Sequence, residues 1–243
     1  MEREKEDNAV FGKNQILKRE KEFNGTTWIQ EVFYTIQGEG PLGGSPAIFV
    51  RFAGCCLACK FCDTDFESST WRPTVEELLE KIEEVNPGHC KLVVITGGEP
   101  FLQMGIVPLT EQLLERGYRV QVETSGSQWQ KGFPVNRSDV TIVCSPKTGK
   151  LNKTLEKHID AYKYVIRVDE VSEVDGLPDV SPETEKRLTR GLARPSKNVP
   201  VYVMPCDEHM DIKTNYNVRE TVRISLKYGY HLCLQVHKII GVD

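Results

Sequence analysis

Hydrophobic positions along the chain alternate between a period near two and a period near 3.6, and the switches predict a series of short strands and helices. Residues 1 to about 25 are charged and aperiodic and predict a flexible or loosely docked arm. Residues 28–34 are rich in aromatic and β-branched side chains and predict a strand that ends at the Gly-rich turn of residues 37–41. A second strand is expected over 47–52. Thr74-x-x-Glu77 is a capping box opening a helix whose apolar positions Val75, Leu78, Leu79, Ile82 and Val85 share one face, with Pro87-Gly88 as the stop.

Further along, 92–95 is an unbroken apolar run of the kind buried in parallel sheets. A helix over 108–116 with Gly117 behind it, strands over 118–122, 140–144, 162–166 and 199–203, a helix over 218–227 stopped by Gly229, and a last strand over 231–235 complete the series. Residues 169–197 are rich in Pro and charge and predict a surface insertion with at most one helix, over 182–190. The alternation predicts an α/β fold with a mainly parallel sheet, one domain over 26–243 behind the arm of 1–25. Polar and glycine motifs recur directly after strands, where α/β barrels place their chemistry.

Composition narrows the class. With 39% hydrophobic and 27% charged residues the 243-residue chain reads as an ordinary soluble protein, and a net charge of −4 argues against a nucleic-acid footprint. No leader-like apolar region opens the chain and no run of about 18 apolar residues occurs, so no membrane contact is expected and a cytoplasmic location fits. Of the eight cysteines, Cys90, Cys144, Cys206 and Cys233 lie singly in or beside apolar runs, which suits a reducing compartment better than a disulfide scaffold.

The other cysteines carry the chemistry. Cys55-x3-Cys59-x2-Cys62 follows the strand of 47–52 and offers three thiolates, ligands that select zinc or iron–sulfur clusters. A closed zinc site needs four ligands, so three leave one position open, unless a distant Cys or His completes a zinc-binding structural module. Cys56 reads as a packing residue. Asp63-Thr64 is either an N-cap pair or an oxygen donor beside the metal centre. Arg51, in an apolar strand, needs a carboxylate from Glu39, Asp63 or a substrate. The turn Thr96-Gly97-Gly98-Glu99-Pro100 lets backbone approach a ligand closely. His237 reads as a packing residue or a substrate contact, and the apolar ending before Asp243 predicts a docked C-terminus that carries its carboxylate to the site.

The cysteine triplet together with Thr96-Gly97-Gly98-Glu99-Pro100 resembles the radical S-adenosylmethionine (SAM) superfamily. Adding Tyr34-x2-Gln37-Gly38-Glu39-Gly40, Arg51, Asp63-Thr64, Ser145-Pro146-Lys147 and Gln235-x-His237-Lys238, in order from residue 28 to the C-terminus, the chain resembles the 7-carboxy-7-deazaguanine synthase family. That resemblance implies an incomplete (β/α) barrel, a [4Fe-4S] cluster on Cys55, Cys59 and Cys62 whose open iron chelates SAM, and Mg²⁺ at Thr64. It implies a lyase that contracts 6-carboxy-5,6,7,8-tetrahydropterin with loss of ammonia, using a radical from SAM and no protein acid or base. Ile36, Gln37, Gly38, Glu39, Arg51, Thr96, His237 and Asp243 match substrate positions. Gly97, Gly98, Glu99, Ser125, Ser145, Pro146, Lys147, Met204, Pro205, Cys206 and Asp207 match SAM positions. A flavodoxin- or ferredoxin-like electron donor and a homodimer are implied as well. The alternative within the superfamily, an activase of glycyl-radical enzymes, leaves Arg51 and Thr64 without a task.

Overall fold

Pleating sends successive strand residues to opposite faces, and here the two faces have different jobs. On β2 (Pro46–Phe52), Ile48, Val50 and Phe52 are fully buried against the helices, while Phe49 and Arg51 line a cavity on the other side. The structure is a computed structural model that describes residues 15–60, 62, 64–208 and 210–242.

Strand β1 (Ile29–Ile36) pairs antiparallel with β2, Glu31 standing opposite Arg51. From β2 onward every neighbour is parallel: β3 (Leu92–Gly97), β4 (Arg119–Thr124), β5 (Val140–Cys144), β6 (Ala161–Ile166), β7 (Val201–Pro205) and β8 (His231–Leu232), in sheet order identical to chain order. The result is an open α/β sheet, the incomplete barrel that the motifs imply. Helix α1 (Val75–Val85) starts at a complete capping box: Glu77 N donates to Thr74 Oγ1 at 3.3 Å, and Thr74 N to Glu77 Oε2 at 2.8 Å. Its Leu78, Leu79 and Ile82 join Ile106, Leu109 and Leu113 of α2 (Ile106–Glu115) over Val93 and Ile95 of the sheet. Each such side chain contributes about 1.5–3 kcal/mol by leaving water.

Helices separate β2 from β3, β3 from β4 and β7 from β8. The connections from β4 to β5 and from β5 to β6 contain no α-helix. Helix α3 (Asp211–Tyr228) begins seven residues earlier than periodicity predicts and ends at left-handed Gly229, φ 74°. The last strand is two residues long, not five. Val236 N leaves the ladder to bond Gly38 O at 3.2 Å, and the chain turns into α4 (Val236–Ile240), which places His237 on a helix. On α4, Ile239 and Ile240 stay 69% and 50% exposed, while His237 packs on Gly38, Lys238 pairs with Asp207 and Val242 reaches the cavity lining. Asp243 lies outside the described residues.

No helix forms over 182–190, where Glu185 has a φ of 53°, incompatible with an α-helix; bridges Val171–Pro178 and Val180–Arg187 shape the segment. It also does more than cover surface. Lys60 N donates to Pro182 O at 3.0 Å, Ala58 N to Glu183 Oε1 at 3.1 Å, and Lys60 pairs with Glu185 at 2.6 Å. The arm docks on the same loop. Ile16 bridges Cys55, Leu17 N donates to Cys55 O at 2.8 Å, and Glu20 N to Leu102 O at 2.8 Å. The arm's first 14 residues lie outside the described ones. No helix among the described residues is long and apolar enough to cross a membrane.

Candidate active site

A cavity of about 630 Å³ opens on the concave face of the sheet and collects side chains from the strands and from the loops that leave their C-terminal ends. The cysteine loop forms one part of its wall. Gly54 turns the chain out of β2 with φ +82°, its N–H held by Phe66 O at 2.6 Å, and Cys55, Cys59 and Cys62 then reach the lining. A hydrogen bond with Cys56, aided by burial, pushes the Cys55 thiol up, and burial raises the Cys59 thiol to about 11. Cys56 is absent from the lining and meets Ser127 Oγ at 3.1 Å. Among the described residues, no three His, Cys, Asp or Glu are gathered around one point as for a single metal ion. In an iron–sulfur cluster each thiolate takes its own iron, and Cys55, Cys59 and Cys62, three soft donors in one lining, fit that group.

The glycine turn acts on this loop. A Cβ on Gly97 would lie 2.2 Å from Phe52 O, and one on Gly98 would lie 2.2 Å from Gly54 O. Both glycines line the cavity, but their lack of side chains is required by the backbone of the cysteine loop packed against them. Glu99 is fully buried behind the lining. It accepts from Phe101 N at 3.1 Å, Thr124 Oγ1 at 2.8 Å, and Ser125 N and Oγ at 2.9 and 2.5 Å. Burial raises its pKa against these donors. Its role is therefore to hold Ser125, which does face the cavity.

A second part of the wall comes from the exits of β5 and β7. Lys147 Nζ donates to Ser145 Oγ at 2.6 Å, and burial lowers the lysine's pKa. Met204, Pro205, Cys206 and Asp207 follow β7, with Asp207 paired to Lys238 of α4 at 3.0 Å.

The third part is ionic. Arg51 Nε bonds Glu31 Oε1 at 2.6 Å, and its guanidinium lies 5.7 Å from the Phe33 ring centroid. The sequence suggested Glu39, Asp63 or a substrate as the partner; the antiparallel register adds Glu31, directly opposite on β1. Asp63 lies outside the described residues, and no helix starts at Thr64, which lines the cavity. Glu39 pairs with Lys163 of β6, whose Nζ also lies 3.5 Å from Glu123 Oε2. Burial alone would raise the Glu39 pKa, but Lys163 and Gln235 outweigh it and hold the carboxyl below its ordinary value. Burial works against the Lys163 charge; Glu123 and Glu39 overcome it and raise the lysine's pKa.

Ile36, Gln37, Thr96 and His237 line the cavity too. Gly38 and Pro146, like Glu99, stand outside the lining; Gly38 is covered by the imidazole of His237. Lys163 and Glu123 escaped sequence reasoning. The available signal was a charged residue within the strands AYKYVI and RVQVET at a pleat position opposite their buried neighbours.

A parallel open barrel with three thiols after its second strand and a glycine turn after its third defines a radical SAM enzyme, and residues 49–131 match the Radical SAM superfamily. Such an enzyme works with a [4Fe-4S] cluster and SAM. The chain is 47% identical to the 7-carboxy-7-deazaguanine synthase of Rhodospirillum rubrum, over 96% of this chain and all of that one. It is 35% identical to the protein of the same name from Rickettsia prowazekii, over 88% of each chain. The crystal structure of QueE from Escherichia coli superposes with a TM-score of 0.62 at 25% identity, over 86% of this chain and 93% of that one. This chain belongs to the 7-carboxy-7-deazaguanine synthase family.

Proposed function

We propose that this chain converts 6-carboxy-5,6,7,8-tetrahydropterin to 7-carboxy-7-deazaguanine with release of ammonia, a step toward queuosine and other 7-deazapurines. The observation that carries the reading is that one cavity joins the three thiols to a wall of fixed charges, Arg51, Glu39, Lys163 and Glu123. Its volume suits a bicyclic substrate beside SAM's reactive end. When bound, the cluster and SAM supply the one-electron chemistry that abstracts hydrogen from the substrate. The protein's part is to bind, orient and exclude water. Ser125, Ser145, Lys147, the Met204, Pro205, Cys206 and Asp207 segment, and Gly97 and Gly98 would hold SAM, with Glu99 and Pro146 behind that wall.

Arg51 receives the substrate carboxylate as a two-pronged donor, and Ile36, Gln37, Glu39, Thr96 and His237 frame the ring. Thr64, in the lining, would offer one hydroxyl to Mg²⁺, a hard cation that would supply charge neutralisation for the substrate carboxylate. Asp243 is the remaining substrate contact in this reading. A flavodoxin- or ferredoxin-type protein delivers the electron. The enzyme works as a cytoplasmic homodimer: none of the eight cysteines is paired in a disulfide, as in a reducing compartment, and Ile212, Tyr216 and Leu226 of α3 stand exposed for a second copy to cover.

An anaerobic assay with the carboxytetrahydropterin, SAM and a reductant yields the deazaguanine, and Thr64→Ala blunts the response to added Mg²⁺. No product from a protein with its cluster intact would overturn the assignment.

A further inference from the structure

The pleat of β6 sends Tyr162 and Tyr164 into the helix-side core, each fully buried, and Lys163 and Val165 to the cavity. The Lys163 side chain is only 7% exposed. Its ammonium binds Glu39 Oε2, from the turn after β1, and faces Glu123 Oε2, from β4. The far oxygens are held as well. Glu39 Oε1 accepts from Gln235 Nε2 at 3.0 Å; Glu123 Oε1 accepts from Gln37 Nε2 at 3.0 Å and Gln121 Nε2 at 3.1 Å. One ammonium thus fixes two carboxylates that belong to different elements, and the trio carries one net negative charge. Without the ammonium the two anions would repel, and one would turn away or take a proton.

We propose that Lys163 is a positioning residue that keeps Glu39 and Glu123 as a fixed pair of hydrogen-bond acceptors, so that the cavity selects a heterocycle edge rich in N–H donors over one bearing carbonyl oxygens. This rests on the pterin reading above, because a pterin's 2-amino-pyrimidinone edge is such an edge. A lumazine differs by an oxygen in place of that amino group, and would set an acceptor against the Glu39 and Glu123 carboxylates. Sites built to pair with a ligand's N–H reject analogues that lack it, because the buried partner is left unpaired. Lys163 need not touch the ligand. It acts by where it holds the two carboxylates.

The test uses the anaerobically reconstituted enzyme with SAM, no reductant, and two unreactive fluorescent probes, pterin-6-carboxylate and lumazine-6-carboxylate. The wild type prefers the pterin by roughly tenfold or more. In Lys163→Met pterin affinity falls by roughly tenfold and the preference between probes collapses, whereas Lys163→Arg keeps much of both. Should Lys163→Met fail to fold, Lys163→Met/Glu123→Gln removes the excess negative charge and is read in the same way. A preference that survives in the methionine variants overturns the inference while leaving the pterin site standing. A wild type that binds neither probe overturns the pterin reading, and the inference with it.

Discussion

The imidazole of His237 occupies the space a side chain at Gly38 would need: a Cβ there would lie 1.9 Å from Nδ1. The contact spans almost the whole chain, and Val236 N fastens it by donating to Gly38 O at 3.2 Å. Through it the C-terminal helix α4 closes over the turn that carries Gln37 and Glu39.

Gly38→Ala tests this contact. Gly38 is not among the positive-φ glycines, so the backbone accepts alanine and only the collision with His237 is introduced. Overpacking of this kind costs about 1–3 kcal/mol, to be read as a lower urea midpoint together with faster hydrogen exchange at the Val236 amide. Unchanged exchange at Val236 would contradict the docking role.

Cys56 and Cys59 separate by the same logic of facing. Cys59 lines the cavity, whereas Cys56 is turned to Ser127. Anaerobic reconstitution of Cys59→Ala therefore yields no brown iron–sulfur absorbance, while Cys56→Ala binds iron and sulfide as the wild type does. Loss of the cluster from Cys56→Ala alone would move the ligand assignment.

Glu99 gives a pH prediction. Burial lifts its carboxyl above the ordinary 4.5. A carboxyl raised on folding contributes stability that is intact below its unfolded pKa and is lost as pH rises through the folded one. Glu99→Gln cannot ionise, so the wild-type urea midpoint falls relative to the variant's as pH climbs from the ordinary carboxylate range through the raised value. A difference that stays flat across that range would show that Glu99 does not change charge there.

Much of the scaffold was legible because its signals are local. The capping box at Thr74 and Glu77 marked the start of α1 to the residue, and the apolar run at 92–95 marked β3, because one turn of helix or one buried strand is specified by its own few residues. The end of the chain was misread for the opposite reason. Residues 231–235 carry strand-like composition, but Val236 finds its acceptor on Gly38, and a partner so distant in sequence leaves no periodic trace. The same holds for the cysteine loop, whose spacing announced a metal centre but gave no hint that Leu17 from the arm and Pro182 from the insertion fasten it on two sides.

By itself, then, the order of residues determined the thiol triplet, the glycine turn and the capped helix, since spacing and pleat are properties of neighbouring residues. Only the tertiary structure decided which charges meet. Arg51 pairs with Glu31 because the β1–β2 register sets them face to face, and Glu39 finds Lys163, 124 residues away, because the curve of the sheet brings the first turn over the sixth strand. Ion pairs depend on distances through space that hydrophobic period does not encode. In this protein those distances assemble the charged wall of the cavity.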